Sequence, residues 1–137
     1  MQIEIVPLEP AHLDKLPFPE AVDSRAYFSF GSEAWCVLSD GVPVFAGGFV
    51  NLQWSRAEAW IIPTPFLRQH LRLCLRMMRK ALYEWPHGFR RVQATCCKGI
   101  SSRLFQCLGF DYEGTMKCFG PNGETNEMWS SIFEVTP

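Results

Sequence analysis

Between residues 58 and 96 the chain reads strand, helix, strand, and no other feature limits the fold as much. "EAWIIP" (58–63) and "RVQATC" (91–96) are β-rich. Between them Phe66, Leu71, Leu75, Met78 and Leu82 recur at helical spacing, with Cys74 and Met77 beside them. The spacing predicts one helix over about 66–85, ended by "PHG", with Arg68, Arg72, Arg76 and the Arg79-Lys80 pair on the opposite stripe. A strand that returns to the same sheet through a helix makes a right-handed crossover. Strands 58–62 and 91–96 are therefore expected as parallel neighbours.

The flanking sequence supplies antiparallel strands. "QIEIVPL" alternates and predicts a strand over 2–6, and Pro10 with Leu13 and Leu16 predicts a short helix stopped by Pro17 and Pro19. Residues 20–33 read equally as a short helix or an aromatic loop. "AWCVLSDGVPVFAGGFVNL" is a hairpin turning at Asp40-Gly41, and Gly47-Gly48 predicts a bulge in its second arm. "ISSRLFQCL" predicts a helix over 100–108 with Gly109 as its C-cap, and a second hairpin turns between Gly120 and Gly123. The expected order is β-α-β-β-β-α-β-α-β-β, with 20–33 left open. This is an α+β mixed sheet, and 137 residues suit a single domain over 1–137 with one core.

Charge and cysteine usage exclude several function classes. A formal net charge of -1 gives no global field for nucleic acid or membrane. The arginine stripe carries no aromatic stacking motif beside it, which argues against a nucleic-acid partner. The N-terminus lacks the basic start and apolar run of a signal peptide, and no stretch approaches the roughly 18 apolar residues of a membrane span. A cytoplasmic protein is expected. The 6 cysteines include no C-x-x-C, so neither metal nor a disulfide framework is expected. His12, His70 and His87 have no motif context.

The tail carries a sharper signal. "SRLFQCLGFDYEGTMKCFGPNGETNEMWSSI", preceded by "RVQAT", resembles the closing segment of the GNAT superfamily of N-acetyltransferases: a helix, Leu-Gly-Phe, an acidic "EG", then a hairpin. The likeness is closest to GNAT-like proteins of phages and prophages. It implies a GNAT-like mixed sheet flanked by helices, with acetyl-CoA as cofactor and a small-molecule or peptide amine as acetyl acceptor. It leaves room for a homodimer or a phage-protein partner. In that family the two central strands splay apart. The pantetheine arm then pairs with strand backbone, and the pyrophosphate rests on amides at the next helix start.

Carried onto this chain, the resemblance names Ile61, Ile62, Phe66, Leu67, Arg68 and Arg72 as cofactor-binding residues. It also names Glu58 as the base for the amine proton. The family loop Arg/Gln-x-x-Gly-x-Gly/Ala falls on Arg68–Leu73, with leucine at both glycine positions, Leu71 and Leu73. The usual tyrosine acid falls on Phe105, which has no proton to give. Tyr112 is the candidate substitute. Lys98 and Ser101 stand where Asn and Ala are usual. These departures leave a second reading open, a GNAT-fold interaction or virion-associated protein without catalysis.

Overall fold

The computed structural model describes residues 1–16, 33–62, 64–85, 87–97, 102–120 and 122–133, with the side chain of Cys97 outside the description. The expectations for 20–32, Lys98 and Ser101 lie outside the described residues. The described residues form seven strands and four helices. These are β1 (Ile3–Pro7), α1 (Pro10–Leu13), β2 (Glu33–Ser39), β3 (Val42–Asn51), β4 (Arg56–Ile61), α2 (Pro65–Gln69), α3 (Leu71–Tyr83), β5 (Arg91–Cys97), α4 (Ser102–Cys107), β6 (Asp111–Met116) and β7 (Asn126–Ile132). The hydrogen-bonded strand order is β1-β2-β3-β4-β5-β7-β6. β4 and β5 pair in parallel, whereas β1–β2, β2–β3, β5–β7 and β6–β7 are antiparallel. The mixed α+β sheet with its central parallel pair is the fold class that the sequence predicts. None of the described helices is long and apolar enough to cross a membrane.

Contacts group the chain into two compact units, Met1–Asn51 with Ala59–Cys74, and Leu52–Glu58 with Leu75–Pro137. In the first, Leu8, Leu16, Cys36, Ala46 and Ile62 form a buried cluster, with Leu13 and Trp60 packed against it. The β2–β3 hairpin turns at Asp40 (φ 50°) and Gly41 (φ 81°), both left-handed, as the Asp-Gly signal requires. The Asp40 carboxylate accepts from the Gln2 amide at 2.9 Å and fastens the turn to the β1 end.

The bulge in β3 is not where the glycines suggest. Register passes from Val37↔Phe45 to Leu38↔Pro43, so Val44 is the extra residue. Gly47 and Gly48 remain in register and serve close approach instead. A Cβ on Gly48 would lie 2.3 Å from the Glu33 carbonyl oxygen, and one on Gly47 would lie 3.1 Å from that of Trp60.

The predicted helix over 66–85 is two helices. His70 leaves the helical region (φ -125°, ψ 46°), so α2 ends at Gln69 and α3 starts afresh at Leu71. The His70 ring packs on Phe66 at 4.4 Å between centroids, which holds the break. The apolar spacing runs through the break unchanged, which is why periodicity alone reads one helix.

In the second unit, Val92, Ala94 and Cys96 of β5 are buried, as are Met78, Ala81 and Leu82 on one face of α3. His87 closes α3: its Nε2–H donates to the Leu82 carbonyl at 2.9 Å while its Nδ1 accepts from the Phe89 amide at 3.0 Å. Leu-Gly-Phe terminates α4 as a Schellman motif. Phe110 N–H donates to the Phe105 carbonyl at 2.9 Å, Gly109 N–H to that of Gln106 at 3.0 Å, and Gly109 sits at φ 82°. The rings of Phe105 and Phe110 stack at 5.6 Å, the apolar contact that closes such a motif. Arg79 adds a guanidinium bond of 2.7 Å to the Cys107 carbonyl at the same helix end.

Candidate active site

In the first unit the site is built by the end of β4 and the turn that leads from it into α2. Ile62 N–H donates to the Ala46 carbonyl of β3 at 2.9 Å. Backbone groups along a strand alternate sides, so Ala59 and Ile61 turn their N–H and C=O away from β3. Of the two isoleucines named from sequence, only Ile61 therefore offers backbone for an added strand. Ile62 is a buried core residue that is 3% exposed.

Thr64 then fixes the helix start. Its hydroxyl accepts from Leu67 N–H at 3.2 Å and donates to the carbonyl of Val44 at 2.8 Å. The bulge sets the Val44 carbonyl apart from the regular ladder, and Thr64 takes it, tying the β4–α2 turn to β3. Leu67 N–H is thus already satisfied, and Arg68 N–H bonds the Thr64 carbonyl at 3.4 Å. Of the amides expected to be open over 66–72, those of Leu67 and Arg68 are therefore engaged. The open amides are those of Leu71, Arg72 and Leu73: among the described residues nothing accepts from them, and the first helical bond of α3 runs from Cys74 N–H to the His70 carbonyl at 3.0 Å. The His70 break creates a second helix start at the Arg68–Leu73 register. Arg68 and Arg72 are exposed there, and Leu71 is 46% exposed with its side chain outward.

In the second unit the site is a carboxyl at the end of a ladder. β4 and β5 pair at Arg56↔Arg91, Ala57↔Val92 and Glu58↔Gln93, and the pairing ends there, although β4 runs on to Ile61 and β5 to Cys97. Burial pushes the Glu58 carboxyl above its ordinary value, and a hydrogen bond from the Thr95 side chain partly offsets this. On the same sheet face, Arg91 reaches Gln93 Oε1 at 3.0 Å and clasps Glu113 with bonds of 2.6 and 3.0 Å, and the Ser130 hydroxyl donates to the same carboxylate.

The opposite face of this unit is differently built. Tyr112 pairs in register with Trp129, which pairs with the buried Ala94. Tyr112 thus lies on the face away from Glu58. Its ring meets Trp129 edge-on at 5.5 Å, and its hydroxyl is bonded to Thr115. Phe105 is buried against Phe110 and Trp129. Glu127 Oε1 accepts from Ser102 Oγ at 2.5 Å and Trp129 Nε1 at 3.3 Å. Burial pushes the thiols of Cys36 and Cys74 up to about 11, which makes them poor nucleophiles at neutral pH. No cluster of metal-ligating side chains occurs among the described residues.

Sequence comparison gives no family: no family profile matches, and no curated protein does. Structure comparison does better. A putative phosphinothricin N-acetyltransferase superimposes with TM-score 0.79 at 16% identity, covering 98% of this chain and 100% of that one. The ribosomal-protein-S18-alanine N-acetyltransferase of Escherichia coli does so with TM-score 0.74 at 15% identity, covering 99% and 97%. The microcin C7 self-immunity acetyltransferase, in complex with acetyl-CoA and AMP, follows with TM-score 0.66 at 13% identity, covering 80% and 65%. The chain has the GNAT fold.

Within the GNAT fold, three posts were hidden from sequence reasoning. Thr64 had a readable signal, since Thr before Pro is a helix-start pair. The Glu113–Arg91 clasp had half of one, the acidic "EG" of the tail. Thr95 had none: its meeting with Glu58 depends on the register of a parallel pair 37 residues apart in sequence, 95 minus 58.

Proposed function

We propose that the protein is an acetyl-CoA-dependent N-acetyltransferase that transfers an acetyl group to an amine. The observation that carries this reading is the second helix start made by the break at His70, where among the described residues nothing accepts from the amides of Leu71, Arg72 and Leu73 and where Arg68 and Arg72 are exposed. Bound acetyl-CoA would supply an activated acetyl thioester. Ala59 and Ile61 would pair their backbone groups with the amides of its pantetheine arm, as an added strand does. The open amides of Leu71, Arg72 and Leu73 suit a pyrophosphate through hydrogen bonds and the helix dipole, with Arg68 and Arg72 adding charge. Leu71 sends its side chain outward, so a residue other than glycine there leaves the amides approachable.

Glu58 would accept the proton from the attacking amine, with Thr95 orienting the carboxyl. A carboxyl raised above its ordinary value is a stronger base once ionised, which suits proton abstraction near neutral pH. No side-chain acid is assigned. Phe105 is committed to the α4 cap, and the Tyr112 hydroxyl to Thr115. A thiolate leaves tolerably alone, so water protonates it here.

The same Phe105, with leucine at both glycine positions, favours the second reading, a GNAT-fold interaction module without catalysis. The phage or prophage kinship rests on the tail sequence alone, and a homodimer or phage-protein partner is part of that reading. Two measurements decide. Acetyl-CoA at 100 times its dissociation constant should stabilise the chain by about 2.7 kcal/mol. Thiol release from acetyl-CoA should then depend on added amine. No thermal shift at millimolar acetyl-CoA would leave the non-catalytic module.

A further inference from the structure

Asn126 opens β7, opposite Cys97 of β5 and Met116 of β6. Its Oδ1 is buried and, among the described residues, accepts no hydrogen bond. Buried acceptors are rarely left unpaired, and each exception calls for a reason. Alternation places Asn126 on the face that carries Ser130, and hence with Gln93, Thr95 and Glu58 rather than with Trp129. The hydrogen bonds confirm that face: Ser130 and Arg91 both reach Glu113 from it.

The position relative to the proposed base derives from strand geometry. Asn126 stands one strand across and two residues on from Thr95, so their Cα atoms are about 8 Å apart. The Glu58 carboxyl lies at Thr95. An amine held at Glu58 therefore leaves Asn126 within reach of a second group roughly four to six bonds away. The side chain as a whole is only partly buried, and among the described residues no bond holds its oxygen inward. Turning the amide outward would give this oxygen a donor without breaking a bond that the oxygen makes to a described residue.

We infer that Asn126 recognises a second hydrogen-bond donor on the acetyl acceptor, which makes the substrate a small amine carrying a further N–H or O–H group. This rests on the acetyltransfer reading. Asn126 is a positioning residue, and its effect is on choice among amines. A site built to bond a polar group discriminates against the analogue that lacks it, because its own polar atom is then left unpaired.

The test uses the full chain, acetyl-CoA, and two amines of like shape, aminopentanol and hexylamine. The wild type should prefer aminopentanol by about tenfold in kcat/KM. Asn126→Leu should bring the ratio close to one, and Asn126→Asp, which keeps an oxygen acceptor, should retain it. Asn126→Ala replaces the leucine variant if that fails to fold. A ratio near one in the wild type, or an unchanged preference in Asn126→Leu, overturns the inference. If neither amine is acetylated, thermal shifts separate the two claims. A shift by aminopentanol that hexylamine does not give, and that Asn126→Leu loses, keeps the recognition and removes only the acetyltransfer. No selective shift removes the recognition too.

Discussion

The Glu58 carboxyl accepts a hydrogen bond from Thr95, two residues past the last rung of the only parallel ladder among the described residues, Glu58↔Gln93. One partner comes from before the crossover and the other from after it. The bond therefore exists only when the strand–helix–strand unit is closed in the correct register.

Glu58→Gln is the direct test of that carboxyl. Turnover should fall by about 10²–10⁴-fold. The wild-type rate should rise with pH through the raised Glu58 value, and the variant should lose this limb. The stability effect has the opposite sense. The folded state holds the Glu58 proton more tightly than the unfolded chain, so the associated stability is full below the ordinary value of 4.5 and lost as pH rises through the folded one. Denaturant melts should show Glu58→Gln at least as stable as the wild type at pH 7, with the gap closing near pH 4. A variant less stable at pH 7 than at pH 4, relative to the wild type, would contradict the burial account.

Arg68 and Arg76 separate a phosphate cradle from a solvated helix face. Arg68→Ala should weaken acetyl-CoA binding by about tenfold, from the loss of a charge-assisted contact. Arg76→Ala, beyond the open amides of Leu71–Leu73, should change it little. Isothermal titration of both variants checks this, and equal effects would discard the cradle.

Thr64 joins two satisfied groups through one hydroxyl. Thr64→Val keeps the shape but leaves the Val44 carbonyl and the Leu67 amide without their partner. The expected cost is about 2 kcal/mol from the lost cap and the buried acceptor together. Binding of acetyl-CoA should weaken with it, because the turn that leads into the cradle loosens.

Phe105→Tyr asks whether the missing acid can be restored. The ring is buried and stacked on Phe110 as the apolar contact of the α4 cap. A hydroxyl added there should cost about 1–3 kcal/mol and bring no gain in rate. A faster enzyme with an unchanged melt would show that the position is open to the reaction after all.

Gly48→Ala should be the most damaging of the glycine changes. Its Cβ would overlap backbone at 2.3 Å from the Glu33 oxygen, whereas Gly41→Ala meets nothing within 4 Å and faces only its left-handed φ. A thermal melt should put Gly41→Ala lower by about 1–2 kcal/mol. Gly48→Ala should lose at least about 3 kcal/mol, because neither strand can give way without breaking β2–β3 pairs.

Local chemistry by itself determined much of this protein. Asp40-Gly41 fixed one hairpin, Leu-Gly-Phe fixed the end of α4, and apolar spacing around the crossover fixed the parallel centre of the sheet, because each depends on residues within a few positions or on a handedness that every chain shares. The tertiary structure decided where distant segments meet. Apolar period ran straight through His70, so only the packing of its ring on Phe66 could show the break that opens the Leu71–Leu73 amides. The glycine pair signalled a bulge, but the residue that bulges is Val44, because Gly47 and Gly48 answer to strands that come within contact of their backbone. Glu58 could be placed on a strand from sequence, yet its partner Thr95, its raised proton affinity and the unpaired oxygen of Asn126 depend on register between strands far apart in the chain. Register is set by the burial of whole faces together, and no short stretch of sequence carries that sum.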